Sequence, residues 1–176
     1  QVARIDYERD AEASGAALAA LCEQAGRASA DAEILVLSDY RKGVVAPAVI
    51  EAAAIAAAHR GVPLLVDPKV PRAERYRGAT LLTPNHHEAE MMTASPIRTA
   101  ADARTAARDI HERSGANVLI TWGEHGMWLL DASSAPHREE QLAASAREVA
   151  DVTGAGDTVI ALLALTLAAG APLGDA

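Results

Sequence analysis

Four short, mostly apolar runs, each closing on polar or charged residues, constrain this chain more than any other feature. They are Ile34-Leu-Val-Leu37, Val62–Val66, Ala79-Thr-Leu-Leu-Thr83 and Val118-Leu-Ile-Thr121. A run of this length without alternation suits a strand buried on both faces, the usual condition of a parallel strand. Helical patterns occupy the intervals. Pro47–Arg60 is alanine-rich, with Pro at its start and Gly61 at its end, and Thr99–Ser114 is charged, amphipathic and stopped by Gly115. Arg9–Gly26 also reads as helix, with Leu18, Leu21 and Cys22 on one face, while Val2–Tyr7 alternates like a strand. Later segments are a strand–turn–strand into Met127–Leu130, a loop over Asp131–Glu140, and a buried helix over Val159–Ala169 closed by Gly170. The expectation is one α/β domain over residues 1–176, built on a mainly parallel sheet flanked by helices.

Composition agrees and narrows the partners. Half the residues are hydrophobic, yet none is Phe, so the core is Ala, Val, Leu and Ile. A net charge of −8 argues against a nucleic-acid or anionic-membrane surface. The single Cys22 rules out an intrachain disulfide framework and a cysteine metal cluster. No charge-free run of about 18 apolar residues occurs. A soluble, cytoplasmic protein with small-molecule ligands is expected.

In open α/β sheets, ligands bind beyond the carboxyl ends of the strands. Candidate residues therefore follow each run. Asp39 and Lys42 come after the first, in a turn rich in charge. Lys69, in Asp67-Pro68-Lys69, follows the second and is either a phosphate counter-charge or a solvated loop lysine. Asn85 and Glu88 follow the third, spaced as a capping box. His86 and His87 are neighbours that point apart on a helix, without a third ligand at metal spacing, and read as surface. Thr121, Gly123, Glu124 and Gly126 follow the fourth run, where glycines admit close approach of a phosphate or ribose, or simply make the turn.

The most chemical stretch is Asp151-Val-Thr-Gly-Ala-Gly-Asp157 before the last helix. Gly154, Ala155 and Gly156 fall at a helix N-terminus, where unpaired N–H groups and the dipole favour an anion. Asp157 is either a helix-starting residue or a general base beside a phosphate cradle. A Walker A loop is excluded because Gly156 is followed by Asp157-Thr158, and a dinucleotide fingerprint because Val159 stands where the third glycine or alanine belongs.

That stretch resembles the C-terminal signature of the ribokinase-like (PfkB) family of sugar kinases. Asn85-x-x-Glu88 and the glycine pattern from Thr121 to Gly126 match the family in the same order. Asp39-Tyr-x-Lys42-Gly and Asp67-Pro-Lys69 are similar to its heptose-kinase branch. The resemblance implies a ribokinase-like fold with helices on both faces of the sheet. It also implies transfer of the γ-phosphoryl of ATP to the anomeric hydroxyl of heptose 7-phosphate, or to another sugar, sugar phosphate or nucleoside. A non-catalytic nucleotide-binding module is the alternative of a different class.

By the same resemblance Asp157 is the base, and Gly154, Ala155 and Gly156 hold the transferring phosphoryl. Asn85 and Glu88 serve the Mg2+ and phosphate region, Glu88 through water. Thr121, Gly123, Glu124 and Gly126 contact the nucleotide, and Asp39, Lys42 and Lys69 the substrate. Asp151 and Thr153 border a K+ site. Family members carry sugar-binding strands, a Gly-Gly segment and a β-lid upstream, and further adenine-pocket and cation residues downstream. The expectation is therefore a nucleotide-side portion of a kinase, inactive alone and homodimeric when full length.

Overall fold

The computed structural model describes residues 11–133, 135–144 and 154–175 of the chain. Six strands form one sheet in sequence order: β1 (Leu35–Ser38), β2 (Leu64–Asp67), β3 (Leu81–Leu82), β4 (Asn117–Thr121), β5 (Met127–Asp131) and β6 (Arg138–Leu142). β1 to β4 run parallel, in register through Leu35↔Leu64, Leu65↔Leu81 and Leu81↔Asn117. The chain then reverses, and β5 and β6 pair antiparallel, through Val118↔Leu130 and Leu129↔Glu140. The expected Val2–Tyr7 strand lies outside the described residues.

Alternation along the strands divides the core in two. Leu64, Val66, Leu82, Val118 and Ile120 face one side, where they meet Ile50, Ala53 and Ala57 of α2 (Pro47–Arg60), and Ala103, Ala107 and Ile110 of α4 (Ala100–Ser114). α3 (His86–Thr93) adds Ala89 and Met92 to that layer. Small alanines on these helices let them sit close to the sheet, which explains how a core without Phe still excludes water. Leu65, Leu81, Leu119 and Leu129 face the other side, against Ile160, Leu163 and Ala164 of α5 (Ala155–Ala168).

Helices thus cover both faces, though unequally. Among the described residues α5 covers most of the second face, with Leu173 of the short 3₁₀ helix Leu173–Asp175 beside it. It is not the wholly buried helix expected from its composition: Leu162 is 57% exposed and Leu165 70%. The stripe of Ile160, Leu163 and Ala164, flanked by Val159 and Leu167, meets the sheet, as one face of a 3.6-residue repeat does.

Three more expectations are corrected. α1 spans Gly15–Ala28 and packs on α2, starting six residues after Arg9. The supposed loop over Asp131–Glu140 contains most of β6. Its acidic residues are tolerated in a strand because Glu139, nearly buried, is held by Arg104 and Arg108 of α4, the latter at 2.6 Å. The polar segment Arg72–Arg77 contains a short 3₁₀ helix, Ala73–Tyr76, that buries Tyr76 completely. The Tyr76 hydroxyl accepts from the backbone N–H groups of Lys69 and Val70 at 3.2 and 3.0 Å and donates to Asp39 Oδ2 at 3.0 Å. One phenol thereby locks the end of β1 to the end of β2.

Candidate active site

The carboxyl ends of β1 to β4 and the N-terminus of α5 open onto one cleft of about 680 Å³. Local sequence explains each wall. Gly154 adopts φ 79°, a left-handed conformation that glycine enters without Cβ strain, and so starts α5 abruptly. The first intrahelical bond is Thr158 N–H to Gly154 O at 3.0 Å. The N–H groups of Ala155, Gly156 and Asp157 therefore have no partner within the helix, and no side chain caps them among the described residues. They face the cleft at the positive end of the helix dipole.

Asp157 is not the N-cap. It occupies the third helical position, exposed to the cleft, and its Oδ1 accepts from the Tyr40 hydroxyl at 3.0 Å. On the opposite wall Asn85 and Glu88 form a complete capping box at the start of α3. Glu88 N–H donates to Asn85 Oδ1 at 3.0 Å, and Asn85 N–H to Glu88 Oε2 at 2.8 Å. The other Glu88 oxygen takes Lys69 Nζ at 2.6 Å. Asp67, at the last position of β2, lies 3.4 Å from the same ammonium.

This cluster has uneven electrostatics. Burial raises the Asp67 carboxyl to about 6; Lys69 opposes that rise, while the Glu88 and Asp157 carboxylates add to it. Burial works against the Lys69 ammonium too, but the Glu88 hydrogen bond and the two carboxylate charges outweigh it and raise its pKa. A polyanion entering the cleft would offer Lys69 a second set of oxygens.

The floor is shaped by the β4–β5 turn. A single parallel bridge joins Asn85 to Thr121, with Thr121 N–H donating to Pro84 O at 3.0 Å. Gly126 closes the turn at φ 86°, and a Cβ there would lie 1.9 Å from Leu142 O. Only glycine fits.

The cleft thus collects Lys69, Asn85, Glu88, Thr121, Gly123, Gly126, Gly154, Ala155, Gly156 and Asp157. Glu124 is not among them; its side chain is 89% exposed, turned outward by the short helix Gly123–His125. Asp39 and Lys42 line a neighbouring cavity instead. His86 and His87, expected at the surface and pointing apart, both border the cleft with their ring centroids 3.8 Å apart, and burial lowers the His86 pKa. Asp151 and Thr153 lie outside the described residues. Sequence reasoning missed Tyr40, Asp67 and Thr83 as cleft residues. Asp67 had a signal, standing before Pro68-Lys69 at a strand end. Tyr40 stood within the Asp39-Tyr-x-Lys42 pattern, but its contact with Asp157 had no local signal, since the two are 117 residues apart.

A model of the pfkB family of carbohydrate kinases matches residues 7–176. The chain belongs to that family. The bifunctional protein HldE of Azorhizobium caulinodans is 47% identical over 175 residues, which is 98% of this chain and 36% of that protein. The HldE of Gluconobacter oxydans is 41% identical over 173 residues, again 98% of this chain and 36% of the relative. This pfkB chain accordingly spans about a third of the length of those curated relatives.

Arabidopsis thaliana ribokinase, solved with ribose and ATP, superposes with TM-score 0.72 at 23% identity, over 86% of this chain and 48% of that one. Escherichia coli phosphofructokinase-2 in complex with potassium gives TM-score 0.75 at 23% identity, over 93% and 52%. The fold is ribokinase-like. Among the described residues no helix is long and apolar enough to cross a membrane.

Proposed function

We propose that this chain is the nucleotide-side portion of an ATP-dependent sugar kinase whose acceptor is heptose 7-phosphate. One observation carries the reading. A carboxylate, Asp157, stands in the first turn of a helix whose N-terminal N–H groups have no partner among the described residues, in one cleft with Lys69 and Glu88. That juxtaposition supplies an oxyanion cradle, a base and a counter-charge to one bound phosphate chain. The HldE relatives and the Asp39-Tyr-x-Lys42 and Asp67-Pro-Lys69 segments support the heptose branch as acceptor.

In this mechanism Asp157 takes the proton of the attacking hydroxyl while the Tyr40 hydroxyl holds its other role, orienting the carboxylate. The N–H groups of Ala155 and Gly156 stabilise charge on the transferring phosphoryl. Lys69 shifts part of its interaction from Glu88 to phosphate oxygens. Thr121, Gly123 and Gly126 lie along the nucleotide. Mg2+ suits the donor set, because it keeps several waters and needs only one or two carboxylates beside substrate phosphates. Asp67 and Glu88 would hold it, Glu88 through water, and the ion would neutralise phosphate charge. A K+ site bordered by Asp151 and Thr153, and a homodimer, belong to the same proposal.

The test is an ADP-release assay on the full-length protein with Mg2+ and ATP, offering heptose 7-phosphate, fructose 6-phosphate, ribose and a nucleoside in parallel. Preferential stimulation by heptose 7-phosphate is the expected result. Stimulation by a different acceptor alone would move the chain to another branch of the family.

A further inference from the structure

A second cavity, of about 610 Å³, lies beside the cleft and shares one wall with it, the Tyr40 side chain. It is formed by the loop after β1, Asp39 to Val45, and by the segment after β2, from Val70 to Arg75. Its chemistry runs against that of the whole molecule. In a chain of net charge −8, Arg41, Lys42, Arg72 and Arg75 all line this one space.

The two acids present are already committed. Asp39 accepts from the Tyr76 hydroxyl and from Arg41 N–H at 2.8 Å, and Glu12 pairs with Arg75 at 2.6 Å. Arg75 also donates to Val45 O at 2.8 Å, while its buried Nε has no hydrogen-bond partner among the described residues. Arg41 and Arg72 are exposed, and neither has an ion pair among the described residues. Guanidinium groups in this state suit a phosphate, whose oxygens match their planar fork.

We propose that this cavity is the subsite for the phosphomonoester of the acceptor, with Arg41 and Arg72 as its anion-binding side chains. The inference rests on the kinase reading above and extends it to specificity. Position decides which phosphate is meant. The N–H cradle of α5 serves the donor, on the Asp157 side of Tyr40. The arginines lie on the far side. A molecule that presents a hydroxyl to Asp157 and reaches past Tyr40 with a phosphate is an acceptor, not a nucleotide. A sugar bearing its phosphate several carbons from the reacting hydroxyl has that shape. An unphosphorylated sugar leaves the arginines unused.

Two measurements test this on the Arg41→Ala/Arg72→Ala variant of the full-length protein, whose substitutions are at exposed positions. The first is equilibrium binding of inorganic phosphate, heptose 7-phosphate and ATP, needing no turnover. Both phosphate and the sugar phosphate should compete on wild type. Both should weaken about 10–100-fold on the variant, as expected for lost charge-assisted hydrogen bonds, with ATP affinity unchanged. The second is steady-state kinetics with the sugar phosphate and the same sugar dephosphorylated. KM should rise for the former alone, and Arg41→Lys/Arg72→Lys should recover part of the loss.

Failure of wild type to bind phosphate or the sugar phosphate overturns the subsite, as does equal affinity in the variant. Loss of phosphate binding with heptose 7-phosphate binding intact overturns its assignment to the acceptor. Absence of ADP release with every acceptor, alongside the expected binding pattern, would sink the kinase reading and leave the sugar-phosphate subsite standing.

Discussion

The Tyr40 hydroxyl donates to Asp157 Oδ1 at 3.0 Å, joining the loop after the first strand to the first turn of the last helix. A carboxylate exposed to water would sample several rotamers, and this bond selects one. Tyr40→Phe should therefore lower kcat by about 3–10-fold, the scale of one charged hydrogen bond at an exposed site. The ATP KM should hold steady, since the phenol bonds the Asp157 carboxylate and not the helix N–H groups. A parallel fall in melting temperature and unchanged kcat would make the contact structural only.

Removing the carboxylate itself is more severe. Asp157→Asn keeps the shape and the hydrogen bond from Tyr40 but cannot accept a proton. kcat should fall about 10²–10⁴-fold while ATP still binds. Turnover within about threefold of wild type, against that scale, would remove Asp157 from the role of base.

The sheet was largely legible because each parallel strand is a short apolar run with its own helix punctuation. The capping box at Asn85 was written in a four-residue spacing. β6 was not legible, because Glu139 and Glu140 look like loop residues until Arg104 and Arg108 arrive from α4 to neutralise one of them. The same limit hid the Tyr76 lock and the Tyr40 contact. Local patterns report what a residue does within a turn or two, whereas these bonds join segments 37 and 117 residues apart. The glycine loop stood out as a candidate site because its geometry is local, but the outward turn of Glu124 depends on a 3₁₀ helix that the glycine pattern does not specify.

Glu88 serves two tasks, and Glu88→Gln should separate them. Glutamine can still complete a capping box, so α3 should persist. The ion pair to Lys69 is lost, although Lys69 keeps Asp67 at 3.4 Å. Destabilisation should stay near 1–2 kcal/mol, roughly half the cost of breaking a fully buried pair. The functional signature should be a raised Mg2+ requirement, read as activity regained at high magnesium. Early melting with an unaltered magnesium profile would leave Glu88 as a capping residue alone.

Asp67 carries a pH dependence of defined sign. Its folded pKa of about 6 stands above the ordinary carboxyl value of 3.8, so the folded state binds the extra proton between those values. Stability from this group is therefore greatest at low pH and declines as pH rises from about 4 through about 6. Asp67→Asn should be more stable than wild type at pH 8, by up to about 3 kcal/mol, and the gap should close below pH 4. Denaturant midpoints across that range provide the measurement. A gap independent of pH would mean that Asp67 is not strained by its burial. Lower activity in the more stable variant would place the carboxylate among the groups retained for function at a cost in stability.

Two glycines of the β4–β5 turn offer an internal control. Gly123 has φ 53°, and a Cβ built on it meets nothing within 4 Å, so Gly123→Ala should cost only the left-handed strain, about 1 kcal/mol. Gly126 combines φ 86° and ψ −132° with a backbone oxygen, that of Leu142, 1.9 Å from where a Cβ would stand. Neither backbone can yield alone, because Trp122 N–H bonds Gly126 O at 2.8 Å and Met127 is already paired with Leu142. Gly126→Ala should therefore move β6 or the turn, cost about 1–3 kcal/mol for the backbone conformation plus the clash, and weaken ATP binding through the displaced cleft floor. Thermal melts and nucleotide titrations on the two variants would decide it. Equal effects would show that the turn needs glycine for flexibility alone, and that the close approach of Leu142 contributes nothing to the shape of the nucleotide side.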